Sequence, residues 1–216
     1  MNIIELLPPI GQIIRRCPTQ TLVDAYSRAS RDFCGQSRWY RESFTVTTTA
    51  NDAGPYELIP GSGFPLEVVA VRQIIATAPV GAPLSTWRVT PLDITLWNPL
   101  LLPAPPYWYA YLPEGAIQFY QTPDQAYSMA VTAALQPTLG ATEIPDVLLT
   151  KWERVLQAGA LANLFAIPGQ TWSNPVEQMR YQRAFQAGIS NAKADEARGF
   201  NQGSVRARPR AFALGR

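Results

Sequence analysis

The sequence predicts an α+β fold: a helical bundle formed by the N- and C-terminal segments, an inserted antiparallel β-sandwich or barrel, and an extended C-terminal tail. Three observations carry this expectation. Apolar residues recur at helical spacing near both ends of the 216-residue chain. From about Ser37 to Gln136 that period disappears, Thr, Val, Tyr and Trp rise, and Pro or Gly returns every few residues. The ending carries Arg206, Arg208, Arg210, Phe212 and Leu214 with neither helical nor strand period. The expected units are residues 1–37 and 140–199 for the bundle, 38–139 for the β insert and 200–216 for the arm.

Ile3, Ile4, Leu6 and Leu7 suit a short apolar turn that packs on a neighbour, ended by Pro8-Pro9. The first helix is expected from about Thr19 to Cys34, because Leu22, Tyr26, Ala29 and Phe33 make one stripe and Gly35 offers a stop. It is too short to stand alone, so the two later helices must cover its stripe.

The strands follow. Trp39–Thr49 places Phe44, Val46 and Thr48 on one face, and Asn51 to Pro55 is a turn before Tyr56–Ile59. Leu66–Ala78 lies between prolines, and Trp87–Thr90 and Ile94–Trp97 are shorter. Tyr107–Leu112 and Ile117–Tyr120 flank Pro113-Glu114-Gly115, a hairpin signal. Tyr127–Leu135 alternates cleanly.

Helices return at Pro145, with Leu148, Trp152, Val155, Gly159 and Ala162 on one face until Pro168-Gly169. Asn174 can cap the last helix, with Pro175 in its first turn and Glu177 three residues past the cap. Tyr181, Phe185, Gly188 and Ala192 form its stripe, and Gly199 ends it. Gly159 and Gly188 each cost about 1 kcal/mol inside a helix. Their place on packed stripes predicts close helix–helix contact, with Trp152 and Phe185 on facing stripes.

Histidine is absent, which removes the commonest acid/base and metal side chain. The lysines Lys151 and Lys193 read as solvated helix charges, and Asp93, Glu114 and Asp124 lack the spacing of a paired-carboxylate site. Cys17 and Cys34 bracket one helix and read as free thiols. No catalytic residue, cofactor or metal is expected, nor a signal peptide or membrane span. With 16% charged residues, 20 prolines and 6 tryptophans, the chain suits a subunit covered by neighbours. Formal net charge is +2, and the unbalanced part sits in the tail arginines. The interleaved Phe212 and Leu214 favour a protein groove over DNA as their partner. Arg28, Arg31, Arg38 and Arg41 are balanced by Asp24, Asp32 and Glu42. The cluster Tyr107 to Tyr111 leaves a second class of function open, a carbohydrate- or peptide-binding module built on an aromatic hairpin.

The run Asp24-Ala25-Tyr26-Ser27-Arg28-Ala29-Ser30-Arg31-Asp32-Phe33-Cys34, followed by Ser37-Arg38-Trp39-Tyr40-Arg41, resembles the start of phage head-to-tail adaptors. Tyr111 to Tyr120 with Pro123 is similar to that family's late hairpin. Ile144 to Leu149, Gly159 to Leu164, Trp172 and Phe185 are similar to its paired C-terminal helices. The type resembled is the tail tubular protein A of short-tailed phages. The resemblance implies a twelve-subunit homo-oligomeric ring between portal protein and tail nozzle, enclosing the channel through which genomic DNA leaves, in the virion and without a membrane. It implies no catalysis. Arg206, Arg208, Arg210, Phe212 and Leu214 would then form a portal-docking arm. Asn51, Asp52 and Gly54 would face the nozzle; the Pro-rich loop Asn98–Pro106, with Asn98, Leu101 and Pro103, departs from the family and would serve this phage's own nozzle.

Overall fold

A computed structural model describes residues 1–61, 63–79, 86–92 and 100–199. Ile3–Leu6 forms a 3₁₀ turn and Pro8–Ile13 a short helix, α1. Pro8 does not simply end the preceding turn. It opens α1, where a missing N–H costs no hydrogen bond. Most of the segment is covered by the chain itself, while Ile4 stays 56% exposed. Ile3, Leu6, Leu7, Ile10 and Ile14 are buried in the chain's own helical core, and the Ile3 N–H donates to Thr142 O at 2.9 Å.

Helix α2 spans Thr19–Ser37, three residues beyond the expected end. Gly35 is therefore inside it and not its stop. The reason is close approach: a Cβ at Gly35 would lie 2.6 Å from Gln136 Oε1 in the sheet. Arg38, at φ 53°, turns the chain out, and its N–H donates to Cys34 O at 2.8 Å.

The strands are β1 (Arg41–Thr47), β2 (Tyr56–Glu57), β3 (Leu66–Thr77), β4 (Thr86–Pro91), β5 (Leu100–Pro103), β6 (Trp108–Tyr111), β7 (Ala116–Phe119), β8 (Gln121–Thr122) and β9 (Ser128–Pro137). Seven form one sheet, ordered β1-β9-β3-β4-β6-β7-β2, and β5 pairs with β8. β9 lies between β1 and β3, and its alternation buries Met129, Val131, Ala133 and Leu135 completely. The antiparallel expectation fails at β4–β6, where Thr90 pairs with Trp108 in parallel, and at β5–β8. Each parallel pair is joined by a long connection instead of a tight turn. Ile94–Trp97, read as a strand in the sequence, lies outside the described residues.

The segment between β1 and β2 nearly closes the sheet into a barrel. Thr48 N–H donates to Tyr127 O, Asn51 N–H to Pro123 O, and Phe119 N–H to Ala53 O. One slot remains in the wall. Along β3, β4 pairs with Ile74–Thr77 among the described residues. The first half of β3 thus has β9 on one side and, among the described residues, no strand on the other. Tyr111 Oη reaches across this slot to donate to Val68 O at 2.9 Å.

Helix α3 spans Asp146–Phe165 and α4 spans Pro175–Ala197. α3 is buried on more than the one expected face, because it lies against both α2 and α4. The glycines of α3 and α4, Gly159 and Gly188, sit at these contacts. A Cβ at Gly159 would lie 2.7 Å from the Phe185 ring and 2.9 Å from Ala29 Cβ, and one at Gly188 would overlap Val155. Phe185 therefore meets Gly159, while Trp152 meets Phe33 at 5.4 Å and Trp39 at 5.9 Å between ring centroids. The two aromatics do not face each other as the stripes suggested.

Buried apolar residues form two clusters. One joins the helices and the other fills the barrel, with Tyr40 packed against both.

Candidate functional site

No described group of His, Cys, Asp and Glu side chains could hold a metal ion. The titratable residues weighed for chemistry have structural partners or stand in the open. Lys151 pairs with Asp195 and lies 5.1 Å from the Trp152 ring centroid. Asp124 accepts from Tyr127 Oη at 2.6 Å. Burial, and then that hydrogen bond, push the Tyr127 hydroxyl up to about 12. Glu114 is exposed in the hairpin turn, and Asp93 lies outside the described residues. Cys17 and Cys34 are free thiols, both pushed up by burial.

Two regions carry the residues expected to make assembly contacts. The first is the exit of the C-terminal arm. Asn174 Oδ1 accepts from the Val176 and Glu177 N–H groups, so the cap read from sequence starts α4. Glu177 does not complete a capping box. Its carboxylate turns to Arg180 at 3.5 Å. At the far end Gly199 takes φ 63°, a conformation glycine adopts without a Cβ penalty. One turn earlier Glu196 pairs with both Arg41 on β1 and Arg72 on β3. The arm thus leaves the helix at a point tied to the sheet. Arg206, Arg208, Arg210, Phe212 and Leu214 lie outside the described residues.

The arginines near α2 form intrachain pairs. Burial pushes the Asp32 carboxyl up, while Arg28 and Arg31 lie close enough to favour its ionised form, and two of these arginines also find distant partners. Arg41 finds Glu196, 155 positions away, and Arg31 finds Glu67 at 2.6 Å. Local charge balance gave no signal of either pair, because only the packing of α4 and α2 on the sheet creates them.

The second region is the barrel end away from the helices. β1 runs from Arg41 beside α4 to Thr47, roughly 20 Å along the strand. Beyond it, Asn51 to Gly54 form a built tip. Asp52 Oδ1 accepts from the Gly54 N–H at 3.0 Å, and Tyr56 Oη donates to Asp52 O at 2.6 Å. Gly54, at φ 98°, has no room for a side chain: a Cβ would lie 2.8 Å from the Tyr56 ring. Asn51 and Asp52 are exposed. The expected Pro-rich loop is partly a strand. Leu100–Pro103 is β5, held in parallel to β8, with Pro103 opposite Thr122. The Asn51 tip bonds the next residue, Pro123. The fold therefore brings Asn51, Asp52, Gly54 and Pro103 to one end through Gln121–Pro123. Asn98 and the Leu101 side chain lie outside the described residues.

The hairpin aromatics divide between core and surface. Tyr109 is only 3% exposed, and Ala110 is buried beside it. Trp108 and Tyr107 are exposed by 41% and 37% and meet edge to face.

The family model described as SU10 adaptor protein matches residues 1–209. The chain belongs to the SU10 adaptor protein family. It is thereby a phage structural adaptor and a virion component. The match runs beyond the last helix into the arm and includes Arg206 and Arg208 of the adaptor. No curated protein matches the adaptor. None of its described helices is long and apolar enough to cross a membrane.

Proposed function

We propose that this adaptor joins the portal to the tail nozzle of a short-tailed phage, as a homo-oligomeric ring around the DNA exit channel. By its resemblance to tail tubular protein A, the ring has twelve copies. The observation that carries the reading is the family match over residues 1–209. The placement of the two contact regions supports it. The arm starts where α4 meets the sheet, and the Asn51–Gly54 tip and Pro103 lie beyond the other end of β1. One chain can then contact different partners at separate places.

In this reading residues 1–37 and 140–199 form the ring body, 38–139 the nozzle-facing insert, and 200–216 the portal-docking arm. Phe212 and Leu214 fill apolar pockets on the portal, while Arg206, Arg208 and Arg210 meet acidic groups. Ordering such an arm costs entropy, so the pockets must supply most of the affinity and the charges mainly the steering.

Deleting Gly203–Arg216 tests this. The truncated protein is expected to fold, because the deletion leaves all four helices intact, and to lose stable attachment to DNA-filled heads. Replacing only the three arginines is expected to slow attachment and weaken its salt dependence. Normal attachment by the truncated protein, retained in high salt, contradicts the docking role.

A further inference from the structure

The slot in the barrel wall opens into a groove of about 350 Å³ between the start of β3, the end of β2 and the β6–β7 turn. Its lining is mostly polar and acidic, with a smaller apolar part. Leu58, Leu66 and Val68 lie on it, with Glu57, Glu67 and Glu114 around them. Glu67 is committed to Arg31 and Gln136. Glu57 and Glu114 are exposed and have no ion pair among the described residues. Next to them Ile59 is 71% exposed. Among the described residues no strand pairs with the first half of β3 on this side, where Tyr111 Oη donates to Val68 O, and such an edge can accept an extended peptide.

We propose that this groove is the resting site of the same chain's C-terminal segment, Val205 to Leu214, before the adaptor meets its head-side partner. The inference rests on the arm being the docking element proposed above, and it adds a competitor for the same residues. Three observations select this occupant. The segment alternates arginine with small or apolar residues and contains no acid, so it matches a groove with two free carboxylates beside the exposed Ile59 and half-buried Val68. Its origin is close. Glu196 holds the end of α4 to Arg72 on β3, and Glu67 lies five residues back on that strand, roughly 17 Å away. Its length suffices, since residues 200–216 span up to roughly 55 Å when extended.

The consequence is a switch by competition. In the free adaptor the groove covers Phe212 and Leu214 and keeps these apolar groups from joining copies at random. The portal, offering deeper pockets, takes the arm away. Glu57 and Glu114 supply attraction at long range, and the apolar lining gives the contact its register.

The test uses the full chain with p-benzoylphenylalanine in place of Phe212, irradiated at low concentration as a mixture of ¹⁴N and ¹⁵N protein. Cross-links within one copy to residues 57–59, 66–68 or 113–115 are expected. Glu57→Lys with Glu114→Lys should cut their yield about tenfold while leaving the unfolding midpoint unchanged, because both residues are exposed. The same charge reversal should speed attachment to heads, since it frees the arm. Cross-links outside the groove, no cross-link, or only mixed-isotope products would overturn the proposal, as would a yield insensitive to the charge reversal. Failure here with attachment still arm-dependent leaves the docking reading standing. Attachment that ignores the arm, with the cross-link intact, removes the docking reading and with it the switch, and upholds only the resting contact.

Discussion

Truncating Trp152 to alanine is expected to cost about 3–5 kcal/mol of stability. Trp152 is 7% exposed at the meeting point of three parts of the chain. Its ring contacts Phe33 on α2 and Trp39 in the link to β1, while Lys151 lies over it from α3. Alanine leaves a cavity that no single rotamer change can fill, because these neighbours belong to separate elements. Trp152→Phe separates packing from polarity. Trp152 Nε1 is buried without a hydrogen-bond partner among the described residues, so phenylalanine removes an unsatisfied donor while keeping most of the volume. It should cost less than about 1.5 kcal/mol. Urea unfolding followed by far-UV circular dichroism checks both. A loss below about 1 kcal/mol for the alanine variant would mean that the junction is only lightly packed.

Filling Gly159 is expected to destabilise by the opposite mechanism, and with leucine by as much. Alanine there gains about 1 kcal/mol in helix propensity. Its Cβ, however, would lie 2.9 Å from Ala29 Cβ, which is fixed to the α2 backbone, and 2.7 Å from the Phe185 ring. Both neighbouring helices must then move, and overpacking of this kind costs about 1–3 kcal/mol, more for a larger side chain. Gly159→Ala should be net destabilising, and Gly159→Leu should cost at least about 3 kcal/mol. Gly11→Ala is the control, because nothing lies within 4 Å of a Cβ there. It should be neutral or slightly stabilising. Unchanged stability of Gly159→Ala would show that the three helices can separate freely at this point.

These two positions also show what could be read from the sequence. Glycine on an apolar stripe signalled close packing, and Gly159 and Gly188 both sit at helix crossings. Asn174-Pro175 and Gly199 signalled the ends of α4, because capping is decided within a few residues. The alternation from Tyr127 to Leu135 placed the strand between β1 and β3 for the same reason. The misreadings share a physical cause. Gly35 looked like a stop because its real partner, Gln136, is 101 positions away. Pro8 looked like an end because proline both closes and opens helices, and only the fold chooses. The parallel pairing of β4 with β6 depends on a long connection that no local pattern describes. In the contact regions, the turn chemistry of Asn51 to Gly54 was legible, whereas its meeting with Pro103 through Gln121–Pro123 was not. Glu196 gave no sign of itself, since a carboxylate near a helix end looks like any solvated charge.

Electron microscopy of purified virions, with image averaging of the neck, tests the proposed role most directly. The account predicts a closed ring of this protein immediately below the portal, with the helices toward the head and the Asn51–Gly54 tips toward the nozzle. Density for residues 200–216 should run up onto the portal. A virion in which this protein is absent from the neck, or present there without a closed ring, would contradict the account.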